Sequence, residues 1–268
     1  MRTTWGIPMA AGMVVACGLF GPASHAESKL VGQVAAPRLW YVDWSYGGIP
    51  LNEGGLLMLN YTADYADWQM QILGGYGSGW ESDELDDQWM IDNGFDPAER
   101  KRDKASSDRF DIQWQLGRRL SLQSLEESMG LTFPLPTFFV GAAYHYIEFD
   151  FEGLVTEADV FYHGPEFMLG LSQKTPVDGL FLRGNVTVMP YVQWTTDNTR
   201  LESGGSVDQG ETDGYLYDLA LVYQSGLLHL AGGYRSMKVS EDDQLPNGTY
   251  RFAEDSFSGG YIEVGVHW

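Results

Sequence analysis

The segment 261–268, Tyr-Ile-Glu-Val-Gly-Val-His-Trp, alternates without a break. Successive side chains of an extended strand point to opposite sides. Ile262, Val264, Val266 and Trp268 therefore share one apolar face, and Tyr261, Glu263, Gly265 and His267 share a largely polar one. Such a strand needs an apolar medium on one side and a polar one on the other. The last strand of a soluble sandwich meets that condition, and so does a strand between lipid and a wet interior.

The pattern recurs along the chain. Extended, alternating segments fall at 39–46, 56–63, 68–76, 109–117, 138–149, 167–173, 180–194, 215–224, 228–237 and 260–268. In 109–117, Phe110, Ile112, Trp114 and Leu116 alternate with Arg109, Asp111, Gln113 and Gln115. Aromatics gather near segment ends, among them Trp40, Trp44, Trp68, Tyr76, Trp194 and Tyr215, as interfacial girdles require. In 138–149 the apolar residues change face: Phe138, Val140, Ala142 and Tyr144 lie on one side, Ile147 and Phe149 on the other. A bulge near His145 would restore the register. Pro190 interrupts 180–194 and predicts a second bulge or bend.

The connections alternate between short (64–67, 175–179, 225–227) and long (77–108, 150–166, 195–214, 239–259, with a shorter 47–55). The exception is 118–137, long but on the short-turn side, with a short helix expected over 121–127. A missed strand pair there would raise the strand count. The chain is one domain without repeats, and nothing after residue 26 approaches the roughly 20 apolar residues of a membrane helix.

The start of the chain reads as a secretory signal: Arg2, an apolar stretch from Ile7 to Phe20, then Ser24-His25-Ala26. Cleavage is expected after Ala26, leaving residues 27–268 without cysteine and one unit more negative than the full chain's −21. A competing reading makes Val14-Val15-Ala16-Cys17 a lipoprotein box with Cys17 lipidated.

The aromatic-ended final strand resembles the C-terminal signature of bacterial outer-membrane β-barrel proteins. That resemblance implies an all-β, transmembrane, antiparallel up-and-down barrel in the outer membrane of a Gram-negative bacterium, with ten strands and eight or twelve as alternatives. It also implies short periplasmic turns and long acidic external loops, embedded in lipid and lipopolysaccharide. Ile262, Val264, Val266 and Trp268 would serve as the assembly signal read by the barrel-assembly machinery.

With apolar faces outward, the lumen receives Asp43, Arg109, Asp111, Arg183, Asp218, His229, Arg235 and Glu263, together with amides that include Asn60, Gln69, Gln71, Gln113, Gln115 and Gln193. Two uses follow: a plug of cross-barrel pairs, or the lining of a narrow porin-like channel. A surface enzyme, a protease or lipid-modifying hydrolase, is a second class. Its candidate residues are His163 with Glu166 and Asp159, and His145 with Glu148 and Asp150, though a histidine near acids is more often an ordinary polar contact. A ligand- or cation-binding surface is the third. Its densest acidic run is Asp83, Glu84, Asp86 and Asp87, with divalent cations as the partner, and it lacks the ligand spacing of a calcium loop. No motif calls for a cofactor, and the negative charge argues against nucleic acid.

Overall fold

The computed structural model describes residues 30–46, 49–77, 106–122, 128–130, 134–152, 157–198, 206–244 and 250–268. The signal segment, Cys17 and the acidic run at 83–87 lie outside these residues. Ten antiparallel strands follow one another: β1 (Leu30–Tyr46), β2 (Ile49–Tyr65), β3 (Trp68–Gly77), β4 (Ser106–Leu120), β5 (Thr137–Glu152), β6 (Glu157–Lys174), β7 (Leu180–Asn198), β8 (Ser206–Ser225), β9 (Leu228–Gln244) and β10 (Tyr250–His267). Each pairs with its neighbour in sequence, and β1 pairs with β10, closing the ring. The up-and-down barrel implied by the final strand is the architecture found. Closure leaves none of the ten as an edge strand. β4 pairs directly with β5, which rules out an extra strand pair in that connection.

The strands outrun the segments read from the sequence, and this corrects the expectation of several long loops. The segments 150–166, 195–214, 239–259 and 47–55 are mostly strand, and only 78–105 and 121–136 separate two strands by a long stretch. β8 alone has 20 residues, where a tilted membrane strand needs roughly 9–11.

The reason the extra length escaped notice is a reversal of polarity along the wall. Near the short turns the exposed face is apolar: Leu57, Leu59, Trp114, Leu116, Val140, Phe167, Leu169, Val186, Val188, Leu219, Leu221, Ile262, Val264 and Val266 all face outward. Toward the other end the apolar residues turn inward. Val42, Leu56, Ile147, Phe149, Val160, Met189, Val192, Met237, Val239 and Phe257 are buried in one cluster inside the barrel, while Asp43 and Asp150 stand exposed on the outer wall. The turn-proximal half is built like a membrane barrel and the distal half like a soluble one.

Two strands make the switch in different ways. β5 has no bulge: its pairing with β4 and β6 runs unbroken through His145. Ile147 and Phe149 point inside because the sequence itself changes parity, so the bulge expected at His145 is corrected. β7 keeps its even-numbered apolar residues and inserts an extra residue instead. Its register shifts between Met189 and Val192, around Pro190, so Val188 faces out while Val192 and Trp194 face in. The facing β6 carries Gly164 there because a Cβ would lie 2.2 Å from the Tyr191 carbonyl oxygen.

If the distal interior is a packed apolar core, Phe149→Ala should destabilise the barrel by about 3–5 kcal/mol, and Asp43→Ser on the outer face by under about 0.5 kcal/mol. Urea unfolding in detergent micelles, followed by tryptophan fluorescence, measures both.

Candidate functional site: ion pairs inside the barrel

Arg38 is the hub of the first interior network. Its Nε donates to Glu263 Oε1 at 2.6 Å and its Nη1 to Asp218 Oδ2 at 3.3 Å. Asn60 Nδ2 donates to the same Glu263 oxygen at 3.0 Å, and His229 Nε2 sits 3.2 Å from the other. The Tyr261 hydroxyl donates to Asp218 at 2.6 Å, and the Arg38 guanidinium lies 3.9 Å from the Tyr261 ring centre. These side chains come from β1, β2, β8, β9 and β10, and Arg38, Asn60, Glu263 and His229 are all almost fully buried. A buried charge is tolerated only with such pairing.

The second network faces it from β4, β5 and β6. His145 lies between two carboxylates: Nε2 is 2.8 Å from Asp111 Oδ1 and Nδ1 is 3.0 Å from Glu166 Oε1. Only an imidazolium donates from both nitrogens at once. Arg109 also donates to Asp111, and Gln113 Nε2 to Glu166. Gln115 Nε2 then donates to Gln113 Oε1 at 2.9 Å.

Two contacts tie opposite walls together. β9 and β4 are five steps apart in the ring, as are β10 and β5. Arg235 Nη2 on β9 donates to Gln113 Oε1 on β4 at 3.1 Å. Phe257 on β10 stacks on Phe149 on β5 with ring centres 5.0 Å apart. Arg109 lies 4.7 Å from the Phe257 ring and 5.1 Å from those of Trp40 and Phe149, so its charge is held against aromatic faces. Tyr162 on β6 also donates to Asp255 on β10. The bore at this level is filled.

Of the lumen residues expected from the sequence, Arg109, Asp111, Asp218, His229, Arg235 and Glu263 are buried in the interior, and Arg183 borders a cavity below them. Asp43 is corrected: it is exposed on the outer wall, since Arg38, Trp40 and Val42 occupy the inward positions of β1. Gln193 is exposed as well, because the β7 bulge flips the face beyond Pro190. The expected catalytic group does not converge. His163 and Asp159 face outward and Glu166 inward. His163 and Asp159 are four residues apart on one strand, or about 13 Å at the usual rise, and His163 Nδ1 contacts the Tyr144 hydroxyl at 2.8 Å. His145 is separated from Glu148 and Asp150 by the same alternation. Ile262, Val264 and Val266 lie on the exposed side of β10 and Trp268 directly follows it, each about half exposed. Arg38 and the contact of Glu166 with His145 were not foreseen. The first sits one residue before the segment recognised as a strand, and the second joins residues 21 apart whose pairing depends on register. Among the described residues, no group of three or more His, Cys, Asp or Glu side chains could hold a metal ion.

No protein-family model matches this chain, and no curated protein is significantly similar to it. Solved structures similar to it include the translocator domain of autotransporter NalP from Neisseria meningitidis, 13% identical over 97% of this chain and 95% of that one with a TM-score of 0.46. The attachment invasion locus protein Ail of Yersinia pestis is 8% identical over 88% and 98%, with a TM-score of 0.38. A major outer membrane protein from Thermus thermophilus is 11% identical over 88% and 99%, with a TM-score of 0.36. Likeness at this level concerns architecture and assigns no activity.

Removing one member of the Arg38 network leaves an uncompensated buried charge. Glu263→Ala should cost about 3–5 kcal/mol of stability. Arg118→Ala, which breaks the exposed pair with Asp67 at 3.2 Å, should cost under about 1 kcal/mol. Parallel urea titrations of the two variants provide the comparison.

Proposed function

We propose that this protein is an integral outer-membrane β-barrel with a structural role and a closed bore, the turn end facing the periplasm and the distal half standing outside the bilayer. The observation that carries this reading is the pair of wall-to-wall contacts, Arg235 with Gln113 and Phe257 with Phe149. A passage through the barrel would have to part both. The outward apolar belt supports the membrane placement, because a contiguous apolar girdle of this extent has no stable exposure to water. Lipid and lipopolysaccharide are then its surroundings. Export through the signal at 1–26 and insertion by the barrel-assembly machinery, reading Ile262, Val264, Val266 and Trp268, are the route. The interior charges serve as struts that hold ten strands in register, in place of a selectivity filter.

Planar-bilayer recording tests the closed bore. The wild-type protein should show no conductance steps, and the triple variant Phe149→Ala, Phe257→Ala, Arg235→Ala should show them if it folds. Steady steps from the wild type, with ion selectivity moved by Arg183→Ala or Asp218→Ala, would overturn the reading in favour of a narrow channel.

Cell fractionation tests the placement. The processed protein should partition with the outer membrane and shift in mobility on boiling, and deletion of Trp268 should lower its surface level. Recovery of the wild type in the soluble periplasmic fraction would remove the membrane placement altogether.

A further inference from the structure

Below the Arg38 network the bore is open. A vestibule of about 260 Å³ reaches from Arg183, Asn60 and His229 down to Gly32, Arg119 and His267 at the turn end. Amides dominate its polar wall: Asn60, Gln69, Gln71, Gln115, Asn185 and Gln224. Phe139 and Phe181 add apolar surface. A smaller space of about 10 Å³ continues it inward, and Gln71, Gln115, Arg183 and Asn185 border both.

The donors around the inner space are in excess. Arg183, Arg235 and Thr187 all border it, and each keeps a buried donor without a partner: Arg183 Nε, Arg235 Nε and Thr187 Oγ1. Thr187 and Arg235 are 0% and 2% exposed. Buried polar atoms are ordinarily satisfied, so three unsatisfied donors around one space call for an acceptor. The nearby carboxylates, including Asp218 on the wall of the inner space, are already engaged. Asp64 accepts from Arg119 and Gln69, Asp218 from Arg38 and Tyr261, and Glu263 from Arg38 and Asn60. Arg183 makes no ion pair among the described residues, and its contact with the Tyr261 hydroxyl is long, at 3.5 Å.

We infer that the vestibule is a binding site for a small hydroxylated oxyanion, of the size and chemistry of a sugar phosphate or sugar acid. The anionic group lies against Arg183 at the junction of the two spaces. One of its oxygens occupies the inner space, which admits about one water-sized group, and accepts from Thr187 and Arg235. The hydroxyls are held by the amide ring, where Gln69, Gln71 and Gln115 each spend one amide hydrogen on Asp64, Asn60 and Gln113 and keep the other hydrogen and the carbonyl oxygen. This site goes beyond the proposed function. It needs only the folded barrel and holds whether or not the bore conducts.

Isothermal titration of the detergent-folded, full barrel tests it, with glucose 6-phosphate, gluconate, inorganic phosphate and neutral glucose as probes. At least one anionic probe should bind saturably and more tightly than glucose by roughly tenfold or more, as a charge-assisted contact implies. Preference for glucose 6-phosphate or for gluconate then identifies the anionic group, and inorganic phosphate shows what that group contributes alone. Arg183→Gln should weaken binding by about tenfold and Arg183→Lys should recover part of it. Thr187→Val, nearly isosteric, should weaken it about threefold and serves alone if the arginine variants fail to fold. Folding of each variant is read from its mobility before and after boiling. The inference is overturned if no anionic probe binds saturably, if glucose binds as tightly, or if the folded variants bind like the wild type.

Discussion

A ring of ten strands is narrow enough for side chains from opposite walls to touch, and the rest of the structure follows from that. Closing the ladder satisfies the backbone and removes the edges, but it also commits every second side chain to a confined space. Those side chains must either pair or pack. In this barrel they do both, at different heights: Arg38, Glu263, Asp218 and the His145 cluster pair, and Phe149, Phe257, Val239 and Leu56 pack. Arg109 joins the two regimes, with one nitrogen on Asp111 and its plane among three aromatic rings.

Much of this was legible in the sequence where one kind of residue kept one face. The final strand, β4 and the lower part of β7 announce themselves because their outward residues are apolar and their inward ones polar. Legibility failed where the two faces exchanged character. A strand such as β6, with Val160 and Tyr162 inward at one end and Phe167 and Leu169 outward at the other, has apolar residues in both parities and shows no single periodic face. Reading only the regular part truncates the strand and turns the remainder into loop. The two expected bulges fared differently. Pro190 correctly marked one, whereas the parity change in β5 has no backbone cause at all and belongs to the side chains alone.

The interior site was partly visible for the same reason. Residues on regular segments, such as Asp111, Asp218 and Glu263, could be assigned a side from alternation. Their partners could not, because which strands face one another across the bore depends on closure and stagger, which no local pattern encodes. The enzyme candidates failed on alternation too: His163 and Glu166 are three apart, and an odd spacing on a strand sends two side chains to opposite faces. Proximity in sequence was the wrong measure. Glu166 finds His145 on the neighbouring strand, and Arg235 finds Gln113 on the farthest one.

The exchange of character along the wall also fixes the depth at which such a cylinder can float. In the proposed bilayer setting, sinking by a few ångströms would drag Asp43, Glu148 and Asp150 among acyl chains, and rising would strand Phe167 and Val188 in water. Both displacements are opposed, so the boundary between the two halves acts as a waterline written into the strands.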